Sequence, residues 1–120
     1  MNSMHVSSEN IRASRVEDTT VRNPAGEKLG TVSDLVIGKR DGKVKYAIMS
    51  FGGFLGMGSD YHPLPWEKLR YDENEGSYIV DLTKEQLEDA PRYADGNDVD
   101  WGDRESTRRI NDYYGVPPYL

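Results

Sequence analysis

A chain of 120 residues, 36% hydrophobic and 30% charged, holds one modest core, and a mean hydropathy of -0.77 places part of the sequence outside it. The net charge of -6 argues against nonspecific nucleic-acid binding as the main activity. The absence of cysteine excludes disulfides, thiolate nucleophiles and thiolate metal sites. No run approaches the roughly 18 apolar residues of a membrane span, and the first ten residues lack the basic start and apolar core of a signal peptide, so the sequence reads as soluble and cytoplasmic.

Residues 1–14 are polar without sustained period and read as a flexible lead-in, with order beginning near Val16. Thr19 to Arg22 is β-branched and meets Asn23-Pro24-Ala25-Gly26, which predicts a strand and a tight turn. From Lys28 to Ile37 the apolar period slips midway, as expected of a bulged or bent strand. Asp41-Gly42 predicts a hairpin, and the Lys39, Arg40, Lys43 and Lys45 cluster around it reads as a solvated tip rather than a phosphate contact. The next strand, Lys43 to Phe51, alternates Val44, Tyr46, Ile48 and Ser50 with Lys45, Ala47, Met49 and Phe51. Its later half is apolar on both faces, so a second surface is expected to cover Ala47, Met49 and Phe51.

Past the glycine-rich segment 52–58, Tyr61-His62-Pro63-Leu64-Pro65 is restricted to extended backbone and predicts an edge strand. One helical turn at Trp66 to Leu69 and a hairpin from Arg70 to Val80 follow. Thr83 and Gln86 have the spacing of a capping box, predicting a short helix to Asp89 that Pro91 ends. These elements suit a small barrel-like β domain over residues 15–90, an acidic linker 91–102, and a C-terminal segment 103–120. In that last segment Asp103 caps a helix before an extended tail with Val116, Pro117, Pro118 and Tyr119. Charge divides unevenly: residues 1–60 carry eight basic and seven acidic residues, residues 61–120 seven and fourteen.

The glycines of 52–58 suggest a phosphate cradle, but no Lys and Ser/Thr follow the last glycine, and Tyr61 to Pro65 cannot open a helix. Phe54, Leu55 and Met57 would meet a phosphate with apolar groups, so the segment reads as an apolar rim. His5 and His62 form no metal-binding pair, and Asp95 to Asp100 lacks the ligand spacing of a calcium loop. Ser50, Ser59 and His62 lie close in sequence without the elbow glycines or oriented acid of a nucleophilic triad. Aromatic and rigid groups at Trp66, Tyr113, Tyr114, Pro117, Pro118 and Tyr119 suit contacts, either with the chain's own barrel or with another subunit.

In order, Gly26-Glu27-Lys28-Leu29-Gly30, Asp34-Leu35-Val36, Gly42-Lys43-Val44 with Tyr46-Ala47, Ser50-Phe51-Gly52-Gly53-Phe54-Leu55-Gly56 and Pro65-Trp66 resemble the PRC-barrel family over residues 12–90. That family includes the cytoplasmic domain of the photosynthetic reaction centre H subunit and the C-terminal domain of a ribosome maturation factor. The resemblance implies a mainly β fold, a small and highly bent antiparallel barrel of about six strands, used as an assembly module without catalysis. The layout resembles that of a stand-alone bacterial PRC-barrel protein, with neither the H subunit's membrane helix nor the maturation factor's N-terminal domain expected.

The function expected is therefore non-catalytic protein–protein interaction as a homodimer, with no metal or cofactor. Met49, Phe51, Phe54, Leu55, Met57, Trp66, Tyr113, Tyr114, Val116, Pro117, Pro118 and Tyr119 are the candidate contact residues. One alternative is ribosome or RNA association through the basic hairpin. Another is attachment to a photosynthetic or electron-transfer complex, with surface carboxylates assisting proton movement.

Overall fold

The computed structural model describes residues 10–51, 60–93 and 101–117. Six strands form one sheet: β1 (Thr20–Arg22), β2 (Lys28–Ile37), β3 (Val44–Phe51), β4 (Asp60–Pro65), β5 (Arg70–Asp72) and β6 (Ser77–Ile79). Helix α1 (Ala13–Val16) precedes them, and α2 (Lys84–Asp89) and α3 (Arg104–Tyr114) follow. Hydrogen bonding orders the strands β4-β3-β2-β1-β6-β5.

The connectivity forces this sheet to bend. Pro65 closes β4 at the level of Tyr46 and Val36, whereas Arg70 opens β5 at the level of Ile79, Arg22 and Lys28. In a flat sheet these two residues would be about 36 Å apart, from the usual strand spacing and rise per residue. Five residue steps reach at most about 18 Å, and part of that length is the 3-10 turn Trp66–Lys68. The fold resolves the conflict in β2, whose register shifts between Val32 and Asp34 and again between Val36 and Ile37. Its first half pairs with β1 and its second with β3. These bulges are the mid-strand slip in hydrophobic period.

Gly30 makes the bend compatible with packing. A Cβ there would lie 2.2 Å from the Ser50 carbonyl oxygen and 2.8 Å from Met49 Cγ, so only glycine lets β2 lie this close to β3. The enclosed core contains Val21, Leu29, Val32, Ala47, Met49, Leu64 and Leu87, all essentially without solvent contact.

The six-stranded, mainly β reading holds, with two features that differ from a wholly antiparallel barrel. β1 and β6 pair in parallel, because the short crossing after β4 delivers the β5–β6 hairpin to the free edge of β1 in that direction. The ladder also stays open between β4 and β5. Pro63 and Pro65 carry no N–H, leaving β4 few donors for a further strand. Side chains bridge the gap instead: the Trp66 ring, just beyond β4, lies 5.4 Å from that of Tyr78 on β6.

Local chemistry sets the remaining boundaries. The Asn23 turn is closed by reciprocal Asn23–Glu27 hydrogen bonds of 2.8 and 2.9 Å. Thr83 and Gln86 complete the capping box of α2 at 3.0 and 2.9 Å. α1 was not anticipated: four residues with no side-chain cap carry almost no sequence signal, although Val16 anchors it in the core. Both ends of the segment read as an acidic linker are fastened. Tyr93 exchanges two backbone hydrogen bonds with Tyr61 on β4, and the Trp101 ring lies 5.3 Å from Tyr46. Residues 94–100 lie outside the described set.

Candidate interaction surface

The C-terminal helix decides which apolar residues remain for a partner. Asp103 caps α3 by accepting from the Glu105 N–H at 3.1 Å. Ile110, Asn111 and Tyr114 form its buried stripe at helical spacing. At its end the Gly115 N–H reaches the Asp112 carbonyl and the Val116 N–H the Asn111 carbonyl, a Schellman closure. Gly115 takes the positive φ of 67° that this closure needs, and the turn delivers Val116 into the core.

Asn111 is only 1% exposed and is the polar member of the buried stripe of α3. The Tyr46 hydroxyl donates to its Oδ1 at 2.7 Å, and its Nδ2 donates to the Pro117 carbonyl at 3.5 Å. Through this amide, β3, α3 and the start of the tail are joined at one point. Burial pushes the Tyr46 hydroxyl above its ordinary pKa, an effect the Asn111 bond partly offsets. The Tyr113 hydroxyl donates to the Gln86 carbonyl, fastening α3 to α2.

These contacts revise the sequence assignment of faces. Ala47 and Met49 share their face with their cross-strand partners Leu64 and His62, all wholly buried. The opposite face of β3 is the one met by α3 and Trp101, through Tyr46. Met49 is thus enclosed by its own chain, as are Tyr114 and Val116. Both faces of this segment are apolar, and alternation cannot say which one turns inward.

Other candidates are more accessible. Phe51 is half-buried at the end of β3, with its ring 5.8 Å from His62 in an edge-to-face pose. Trp66 is half-buried, and Tyr113 and Pro117 are exposed. Phe54, Leu55, Met57, Pro118 and Tyr119 lie outside the described residues. A row of rings runs from Trp66 through Tyr78 to the exposed Tyr71 on β5, with centroids 5.4 and 5.1 Å apart. Tyr46, Asn111 and Trp101 escaped sequence reasoning as a group. Their one signal was a polar residue at core spacing beside Ile110 and Tyr114.

Ser50 and His62 do not converge. Ser50 pairs with Tyr61, the residue before His62, so the two side chains occupy opposite faces, and Ser50 Oγ donates to the Thr31 carbonyl at 3.4 Å. Among the described residues no cluster of three His, Asp or Glu is placed to hold a metal ion, and no helix is long and apolar enough to cross a membrane.

The domain profile of the PRC-barrel matches residues 8–87, more than half of the sequence. The chain belongs to the PRC-barrel family. The match begins inside the segment read as a lead-in and ends within α2, leaving α3 as an addition to the PRC-barrel. An uncharacterised protein from Deinococcus radiodurans is 27% identical over 86 residues, covering 65% of this PRC-barrel chain but only 30% of its own length. A Pseudomonas aeruginosa protein described as the 16S ribosomal RNA processing protein RimM superposes with a TM-score of 0.42 at 15% identity, over 69% of this chain and 50% of that one.

Proposed function

We propose that this PRC-barrel protein is a non-catalytic, cytoplasmic assembly module that pairs with a second copy of itself through the apolar rim at the end of β3. The observation that carries this reading is Phe51. The core shields its neighbour Met49 completely, yet Phe51 is only half covered by its own chain. The sequence that follows supplies Phe54, Leu55 and Met57 within three to six positions. Apolar area of that kind is most favourably removed from water by another protein surface. The contact residues are therefore Phe51, Phe54, Leu55 and Met57, while Met49, Tyr114 and Val116 serve the chain's own core.

Sedimentation velocity at tens of micromolar, the order at which a micromolar interface saturates, tests the reading. At about 1 M salt, where charge contacts are screened to about 3 Å, a dimer that Phe54→Asp converts to a folded monomer supports it. A monomeric unmodified protein at that salt, or a dimer indifferent to Phe54→Asp there, rejects it.

A further inference from the structure

Two hairpin ends of this molecule share a construction and carry opposite charge. At the β2–β3 tip, Asp41 accepts from the Lys43 N–H at 2.9 Å and from Lys45 Nζ at 2.8 Å. The Lys45 bond, then the Lys43 N–H, hold its carboxyl below the usual pKa. Backbone bonds from Gly38 to Lys43 and from Gly42 to Gly38 close the same turn. With Asp41 and Lys45 engaged on each other, Lys39, Arg40 and Lys43 project with no ion pair or side-chain hydrogen bond among the described residues. Beside them stands Ile37, 48% exposed.

The β5–β6 turn repeats this plan with the opposite sign. Asp72 accepts from the N–H groups of Asn74 and Glu75 at 2.9 and 3.3 Å, which fixes the turn. Glu73 and Glu75 point outward, next to Tyr71, 46% exposed. Each tip thus presents one large apolar side chain beside like charges carried on a backbone turn that an internal aspartate fixes. Ordering in advance reduces the entropy lost on contact.

We propose that the basic β2–β3 tip docks on the acidic β5–β6 turn of a second copy of this chain, setting Ile37 near Tyr71. This contact goes beyond the apolar rim and does not depend on it. Nucleic acid is the weaker fit for the same cations, because three free charges on a chain of net charge -6 are opposed by its long-range repulsion from a polyanion. The acidic turn of another copy offers two carboxylates, Glu73 and Glu75, to these cations and the exposed Tyr71 ring to Ile37.

The test uses the full chain carrying Phe54→Asp, so that failure of the rim reading cannot hide or mimic the result. One variant adds Lys39→Glu, Arg40→Glu and Lys43→Glu; a second adds Glu73→Lys and Glu75→Lys. Sedimentation velocity is run at about 10 mM and at about 1 M salt, where screening lengths are about 30 and 3 Å. Weak association of the Phe54→Asp parent is expected at low salt and none at high salt. Each charge variant alone should associate at least about tenfold more weakly than the parent, as two like-charged surfaces must. An equimolar mixture of the two should regain the parent's association, since each then meets its complement. Circular dichroism verifies that both variants are folded. Folded variants that associate like the parent, or a mixture that regains nothing, overturn the proposal. So does retention of self-association by the Lys-to-Glu variant together with loss of binding to polyuridylate, which would give the tip to nucleic acid.

Discussion

Tyr46 and Asn111 are 65 positions apart and meet through a buried hydrogen bond of 2.7 Å. Tyr46→Phe removes the donor but leaves the Asn111 carbonyl enclosed, and stranding a buried acceptor costs about 1–3 kcal/mol. Denaturant unfolding should register a loss of that size, and Tyr46→Phe combined with Asn111→Leu should recover part of it, because no polar atom is then stranded. Tyr114 makes the opposite case. It is 8% exposed and its hydroxyl has no hydrogen-bond partner among the described residues. Burial, reinforced by neighbouring Tyr113, pushes that hydroxyl well above its ordinary pKa. A raised value in the folded state leaves stability intact below the unfolded value, near about 10, and removes it as pH rises beyond. Tyr114→Phe should therefore unfold at the same denaturant midpoint as the parent or higher at pH 7, and should shallow the loss of stability above about pH 10. An unchanged alkaline slope would show that other groups, Tyr46 and Tyr78 among them, carry the effect.

At the scale of elements, β2 governs the fold, and Gly30 governs β2. Gly30→Ala would press a methyl group against the Ser50 carbonyl and Met49, a clash with backbone that side-chain rotation cannot relieve. Overpacking of this kind costs about 1–3 kcal/mol, readable as a lowered midpoint in thermal or urea unfolding. β2 was legible in the sequence from Lys28 to Ile37, because turn residues bracket it and its period slips where the bulges lie. The capping box of α2 and the Asp103 cap of α3 were legible for the same local reason. The cover over β3 was not. Which of two apolar faces looks inward depends on partners 50 or more residues away in the chain, such as Trp101 and Asn111 against Tyr46. The parallel pairing of β1 with β6 was hidden similarly, since three-residue strands hold no record of their neighbours.

On the scale of the whole molecule, α3 shares one core with the barrel. Ile110, Tyr114 and Val116 join the same cluster as Val21, Met49 and Leu87. The segments on either side of the PRC-barrel match boundary should then melt together. Fluorescence of Trp101 in a Trp66→Phe variant and of Trp66 in a Trp101→Phe variant should report coincident unfolding midpoints, the mark of one cooperative unit. An earlier transition at Trp101 would instead mean that α3 detaches before the sheet opens. The edges of that sheet also bear on assembly. β4 carries Pro63 and Pro65 and is met at Tyr61 by Tyr93, while β5 is three residues long and displays Arg70. Both edges resist addition of a foreign strand, so copies of this chain are steered to meet through side chains.

The parallel pairing also has a consequence in time. Thr20–Arg22 gains its second neighbour only from Ser77–Ile79, so during synthesis an early strand waits with one edge open while more than fifty further residues emerge. The Asn111 contact with Tyr46 comes later still. Contacts so distant along the chain slow folding, toward the millisecond-to-second range of nonlocal β topologies. They also make the nascent chain most vulnerable to aggregation in the interval before β6 arrives.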